Sequence, residues 1–140
     1  MPPAEIKLLV RRYYEEIVNT GDTTQLHEFV SPHFRELNDP SGRIAGIEGC
    51  RDHIVAVRKT YPDLHLRIED QIAEGEFVAT RVSMTGTHSG EWPPGAKPTH
   101  KPVRMTAVNW DRVRDGLIVE HGGAANEVLA FLEIGLIRFE

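Results

Sequence analysis

Asp115-Gly116 stands between two apolar runs, Val103 to Val113 and Leu117 to His121. An Asp-Gly pair in that setting predicts a two-residue β-hairpin, because both turn positions take positive φ. A strand precedes it. Val78, Thr80, Val82 and Met84 alternate with Ala79, Arg81 and Ser83, the period of a chain with one buried face. Between the two lies GEWPPGAKPTHKP, rich in Gly and Pro, which no strand interior accommodates. Residues 74–123 therefore read as three long strands, long enough to curl into a half-barrel that the rest of the chain must cover.

The first sixty residues have a different period. Pro2 and Pro3 suit the opening turn of a helix, where a missing N–H costs nothing. Ile6, Leu9, Val10, Tyr13, Ile17 and Val18 then recur at helical spacing until Gly21. Asp22 to Gln25 resembles a capping box opening a short second helix, with Leu26, Phe29 and Val30 inward and Ser31-Pro32 as its end. Residues 33–46 predict a brief extended segment and a turn. A third helix runs from Glu48 to Thr60, with Cys50, Ile54 and Val57 on one face and His53 on its flank. Leu64, Leu66 and Ile68 mark a half-buried strand, and residues 125–137 a short terminal helix. Helices followed by antiparallel strands predict one α+β domain over residues 1–140, with three N-terminal helices on a curved, mostly antiparallel sheet enclosing a pocket.

Charge and cysteine usage narrow the function. A net charge of -5, from 16 basic and 21 acidic residues, with no Lys/Arg cluster, argues against nucleic acid. The one cysteine, Cys50, rules out an internal disulfide and a Cys-based zinc site. No apolar run is long enough to span a bilayer, and MPPAEIK lacks the features of a signal peptide, so a cytoplasmic protein without a membrane partner is expected. No phosphate loop, nucleophile elbow or dinucleotide fingerprint is present. His88 and His100 lack a metal-ligand spacing, which leaves a site expected to work without metal or cofactor.

Several segments carry a resemblance. Tyr61-Pro62-Asp63-Leu64, GEFVATR at 75–81, GTHSG at 86–90, DGLIVEH at 115–121 and LEIGL at 132–136 are together similar to the SnoaL-like polyketide cyclase family of the nuclear transport factor 2-like superfamily. The resemblance implies an α+β cone around an apolar cavity. It also implies an acid/base Asp just after the last long strand and an assisting His on the strand before. Those positions hold Gly123 and Asn109, and a further position that carries Asp in many members holds Asn126.

Strand parity supplies the remaining candidates. If position 123 faces inward, so do Leu117, Val119 and His121, while Ile118 and Glu120 face away. On the neighbouring strand Met105, Ala107 and Asn109 face inward, with Asp111 at the margin of that face. His121 is then a candidate general base, expected to be neutral near pH 7 in an apolar wall with no carboxylate beside it; the alternative is that it caps the sheet end. Asn109 either holds a ligand carbonyl oxygen or bonds its strand neighbours. Asn126 either donates to ligand or caps the terminal helix. Tyr13, Tyr14 and His53 line the helical side of the cavity, although Tyr13 also suits plain core. Trp92 is either a lid residue or a contact to a second subunit. Cys50 reads as core. Outward Thr106, Val108, Trp110 and Ile118 form an apolar face that predicts a homodimer. Two functions fit: a cofactor-independent, aldol-type cyclase or isomerase acting on a hydrophobic carbonyl-bearing small molecule, or a binding protein that kept the cavity and lost the acid/base pair.

Overall fold

The computed structural model describes all residues 1–140. Three helices pack on one face of a curved, open, five-stranded sheet, as the periodicities require. Helix α1 (Pro3–Arg12) buries Ile6 and Val10 and continues as a π-helical turn, Tyr13–Val18. Helix α2 (Gly46–Thr60) buries Cys50 and Ile54, and α3 (Glu127–Glu133) closes the far end. Strands β1 (Val30–Glu36), β2 (His65–Glu74), β3 (Phe77–Thr87), β4 (Pro102–Arg114) and β5 (Leu117–Ala125) lie in the order β1-β5-β4-β3-β2. Only the β1–β5 pair is parallel.

The short second helix shrinks to a single 3-10 turn, Leu26–Glu28, and Val30 already belongs to β1. Ser31-Pro32 lies inside that strand instead of ending a helix. β1 is an edge strand, so the N–H that Pro32 lacks is not missed by a second partner. The brief extended segment expected after residue 33 is thus the end of a longer strand. It brings Glu36 beside His121.

The β4–β5 hairpin departs from a regular ladder at one point, and that point decides the site. Asp115 and Gly116 have φ of 52° and 77°, as the turn demands. Arg114 then faces Leu117 and Val113 faces Ile118. Beyond them Arg112 faces Glu120 and Asp111 faces His121, so Val119 is an extra residue, a β-bulge. A regular hairpin would have set His121 against Trp110. The bulge reverses the expected parity of residues before it: Ile118 turns into the core, 1% exposed, and Leu117 and Val119 do not share the face of His121. Ile118 therefore leaves the outer apolar face, where Val108 and Trp110 remain half-exposed and Trp110 stacks on Phe77 with centroids 5.0 Å apart.

Two polar clamps join helices to sheet. The Asn19 side chain donates to Leu66 O at 2.9 Å and accepts from Leu66 N–H at 2.7 Å, extending the β2 edge with an amide. Arg58, on α2, has no carboxylate partner. Its guanidinium donates to the carbonyls of Val18 (3.1 Å), Leu64 (3.0 Å) and Pro62 (2.7 Å), fixing the end of the first helix and the entry to β2. Replacing Arg58 with Ala leaves three carbonyls unpaired, two of them partly buried. The expected loss is roughly 2–4 kcal/mol in a urea titration, with the slope unchanged.

Candidate functional site

The cavity between helices and sheet has a volume of about 570 Å³ and is lined mainly by apolar side chains. Tyr13, Tyr14, His53, Trp92, Met105, Asn109 and His121 all line it, and so does Glu36. Asn126 does not. It stands at the N-cap of α3 with no side-chain cap bond, and only its backbone N–H is engaged, to Thr106 O at 2.8 Å. The capping role expected of its amide is not filled. A second groove, of about 480 Å³, lies among Asp63, Lys101, Arg104 and Glu133 and has no comparable chain of acid and base.

In and behind the cavity wall three polar side chains join in series. His121 Nδ1 meets Asp111 Oδ1 at 2.6 Å, and the Tyr14 hydroxyl donates to Asp111 Oδ2. Asp111 is 1% exposed, so both of its oxygens need these donors. The π-helical turn helps to place the phenol. Its wider hydrogen bond, Asn19 N–H to Tyr14 O at 2.9 Å, turns two consecutive tyrosines inward, with rings 5.6 Å apart. Tyr13 contacts the Cys50 thiol through its hydroxyl, O to S 3.4 Å. Burial pushes that thiol up to about 11, so Cys50 stays protonated and acts as wall.

The expected charge of His121 is reversed. Burial is the largest single influence and favours the neutral ring. It is outweighed by the charge of Asp111, the hydrogen bond to it and the charge of Glu36, which together raise the pKa from 6.5 to about 9. At neutral pH the ring is an imidazolium: a proton donor, not the neutral base that parity suggested. Its Nδ1 is committed to Asp111. Nε2 has no protein partner, and no buried polar side-chain atom in the protein is left unsatisfied, so Nε2 opens to the cavity. Burial raises the Tyr14 phenol well above 10, Asp111 raises it further, and the Asn109 side chain pulls modestly the other way. Asn109 lies on the cavity wall close to the Tyr14 hydroxyl, whose hydrogen bond goes to Asp111. At the exposed rim, burial and the charge of His121 push His53 down.

Gly123 pairs with Asn109 and has φ of 138°. A Cβ built there lies 2.2 Å from Val108 O, so the strand has no room for a side chain at this position. Trp92 reaches the cavity from a docked loop. His88, fully buried, accepts from Thr99 N–H at Nδ1 (3.1 Å), so Nε2 carries the hydrogen and donates to Trp92 O at 2.8 Å. Ser89 and Gly90 N–H both bond Thr60 O. His88 is thereby a structural clamp.

The sequence model of the SnoaL-like polyketide cyclase family matches residues 8–133. Among solved structures, wild-type IdmH of Streptomyces antibioticus, described as a candidate polyketide cyclase, is 31% identical and superposes with a TM-score of 0.78 over 93% of this chain and 98% of that one. AclR of Streptomyces galilaeus, described as a candidate hydroxylase, is 25% identical with a TM-score of 0.81, over 99% and 86%. TsrD of Streptomyces laurentii is 23% identical with a TM-score of 0.85, over 98% and 99%, a likeness of fold. No curated protein sequence matches. No helix is long and apolar enough to cross a membrane.

The His121 ring is expected to titrate by NMR near pH 9. Its folded pKa lies above the unfolded value of 6.5, so its contribution to stability is complete below pH 6.5 and is lost as pH rises through about 9. The shift corresponds to something on the order of 3 kcal/mol. Denaturant titrations of the wild type and His121→Gln should differ most below pH 6.5 and converge above pH 9; a gap that does not vary with pH contradicts the Asp111 pairing.

Proposed function

Because the chain belongs to the SnoaL-like polyketide cyclase family, we propose that it closes or isomerises a hydrophobic, carbonyl-bearing small molecule by acid–base chemistry without a cofactor. One observation carries the reading: an apolar cavity ends in an imidazolium whose outward nitrogen is free. His121 Nε2–H donates to the ligand carbonyl oxygen and stabilises the charge that gathers there as an enol forms. Asp111 keeps the ring charged and oriented, and Tyr14 satisfies the second oxygen of Asp111. Asn109 borders the same space and is placed to hold a ligand oxygen. Tyr13, Met105, Trp92 and His53 shape the walls and the mouth.

The binding-protein reading has one observation in its favour, the closure of position 123 to any side chain. The two separate on a bound carbonyl. Infrared spectra of 13C-labelled 2-tetralone in the cavity should show the carbonyl stretch moved to lower frequency, and His121→Ala should abolish that shift while the ketone still binds. A bound ketone with an unperturbed stretch in the wild type means a container, not a catalyst.

We also propose that two copies pair through the outer sheet face, where Val108 and Trp110 are 48% and 42% exposed beside Thr106. Sedimentation at micromolar concentration should give a dimer that Trp110→Glu dissociates; a wild-type monomer rules the pairing out.

A further inference from the structure

Gly123 leaves β5 without a carboxylate, yet one faces the same space from the neighbouring strand. Glu36 ends β1 and is the ladder partner of His121. Its side chain lines the cavity with His121 and Asn109. The backbone around it is held firmly: Leu37 N–H donates to His121 O at 2.7 Å, and the Asn38 side-chain amide donates to Gly123 O at 2.9 Å. One Glu36 oxygen accepts from Asn38 N–H at 3.3 Å. The other makes no hydrogen bond within the protein, and no cationic side chain pairs with the group.

We propose that Glu36 is the general base of this site, and that the ligand it serves is an uncharged, enolisable ketone or 1,3-dicarbonyl. This rests on the reading of His121 as proton donor to the carbonyl. The Glu36 carboxylate takes a proton from the carbon beside the carbonyl: that C–H bond breaks, an O–H bond forms on Glu36, and the electron pair makes the C=C of the enol. The carbonyl oxygen receives its proton from His121 Nε2. Return of the two protons restores the ketone. Alternatively the enol carbon attacks a second carbonyl of the same molecule and closes a ring: the new C–C bond forms as that C=O π bond breaks, the resulting alkoxide takes the proton held on Glu36, and the enol O–H proton returns to His121 Nε2 as the first carbonyl re-forms.

Of the other titratable groups lining the cavity, Glu127 is exposed in the first turn of α3 and Arg58 is held on its three carbonyls. Both oxygens of Asp111 are occupied by Tyr14 and His121. The Tyr13 hydroxyl is on Cys50, and that thiol is held protonated. His53 lies at the exposed rim on α2. Burial holds the Glu36 carboxyl above its ordinary value against the opposing pull of His121, while Asp111 and Asp39 push it further up. A stronger base than a solvated carboxylate results. With Asp111 and Glu36 flanking one imidazolium, the floor repels a carboxylate or phosphate, so the ligand class is neutral.

The test is exchange of the α-protons of 2-tetralone in D2O, followed by proton NMR with catalytic protein. The wild type should accelerate exchange, and Glu36→Gln should slow it by about a hundredfold or more. Glu36→Asp should recover part of the rate. The infrared shift of the bound carbonyl should survive Glu36→Gln, and His121 in that variant should still titrate above 6.5, because Asp111 remains; together these show an intact site. Undiminished exchange in a folded Glu36→Gln variant overturns the proposal and leaves the His121 reading standing. So does exchange abolished by His53→Ala but not by Glu36→Gln. Loss of the carbonyl shift in the wild type fails the His121 reading, and absence of wild-type exchange fails the assignment of Glu36.

Discussion

Asp111 is a nearly fully buried carboxylate held between two donors, and the functional half of the molecule is arranged to keep it there. A buried carboxylate is costly unless its oxygens are bonded and its charge is answered. Tyr14 comes from the first helix and His121 from β5, while Asp111 itself belongs to β4. The two bonds in series tie the helix, the central strand β4 and its neighbour β5 at one point. The π-helical turn and the Val119 bulge, two local departures from regular structure, both serve that junction. Irregular turns of this kind are recurrent at sites where a side chain must be aimed.

Because Asp111 is answered on both sides, the imidazolium can present Nε2 to the cavity, and its charge acts on titratable groups nearby. Its charge depresses His53 and pulls on Glu36, while burial acts on both. Environments that push neighbouring groups apart in this way divide acid from base within one small apolar volume. Met105, Ala130 and Phe131 line the same space with apolar surface, and a low local dielectric strengthens electrostatic effects of this kind.

Much of this was legible in the sequence, and the limits have physical causes. Helical and strand periods gave the α+β order, and the inward face of Met105, Asn109 and His121 followed from alternation. Asp111 was visible only at the margin. Its pairing with His121 depends on an extra residue at Val119, and no residue type in DGLIVEH announces a bulge. The same bulge misplaced Ile118, and hence part of the outer face. With Asp111 unpaired on paper, His121 was expected to be neutral, and the sign of its charge followed the error. Glu36 was lost differently. Its strand reads as only a brief extended segment because Ser31-Pro32 suits the end of a helix, and only the parallel pairing with β5, a contact between segments far apart in sequence, gives it a role. Cys50 as wall and the cavity tyrosines needed nothing beyond helical spacing.

The contact at Gly123 also bears on descent. The family resemblance implies an acid at this point of the last strand, and an acid lost by a single codon change can ordinarily be regained by another. Here the strand has settled so that the Val108 carbonyl lies 2.2 Å from where the first side-chain atom would stand. A mutation back to aspartate would therefore meet main chain before it met any ligand, and selection would see a misfolded strand instead of a restored acid. The route is closed behind the glycine until β4 moves as well. Further change in this lineage is channelled onto β1, β4 and the helices, the elements that still have room to vary what enters the cavity.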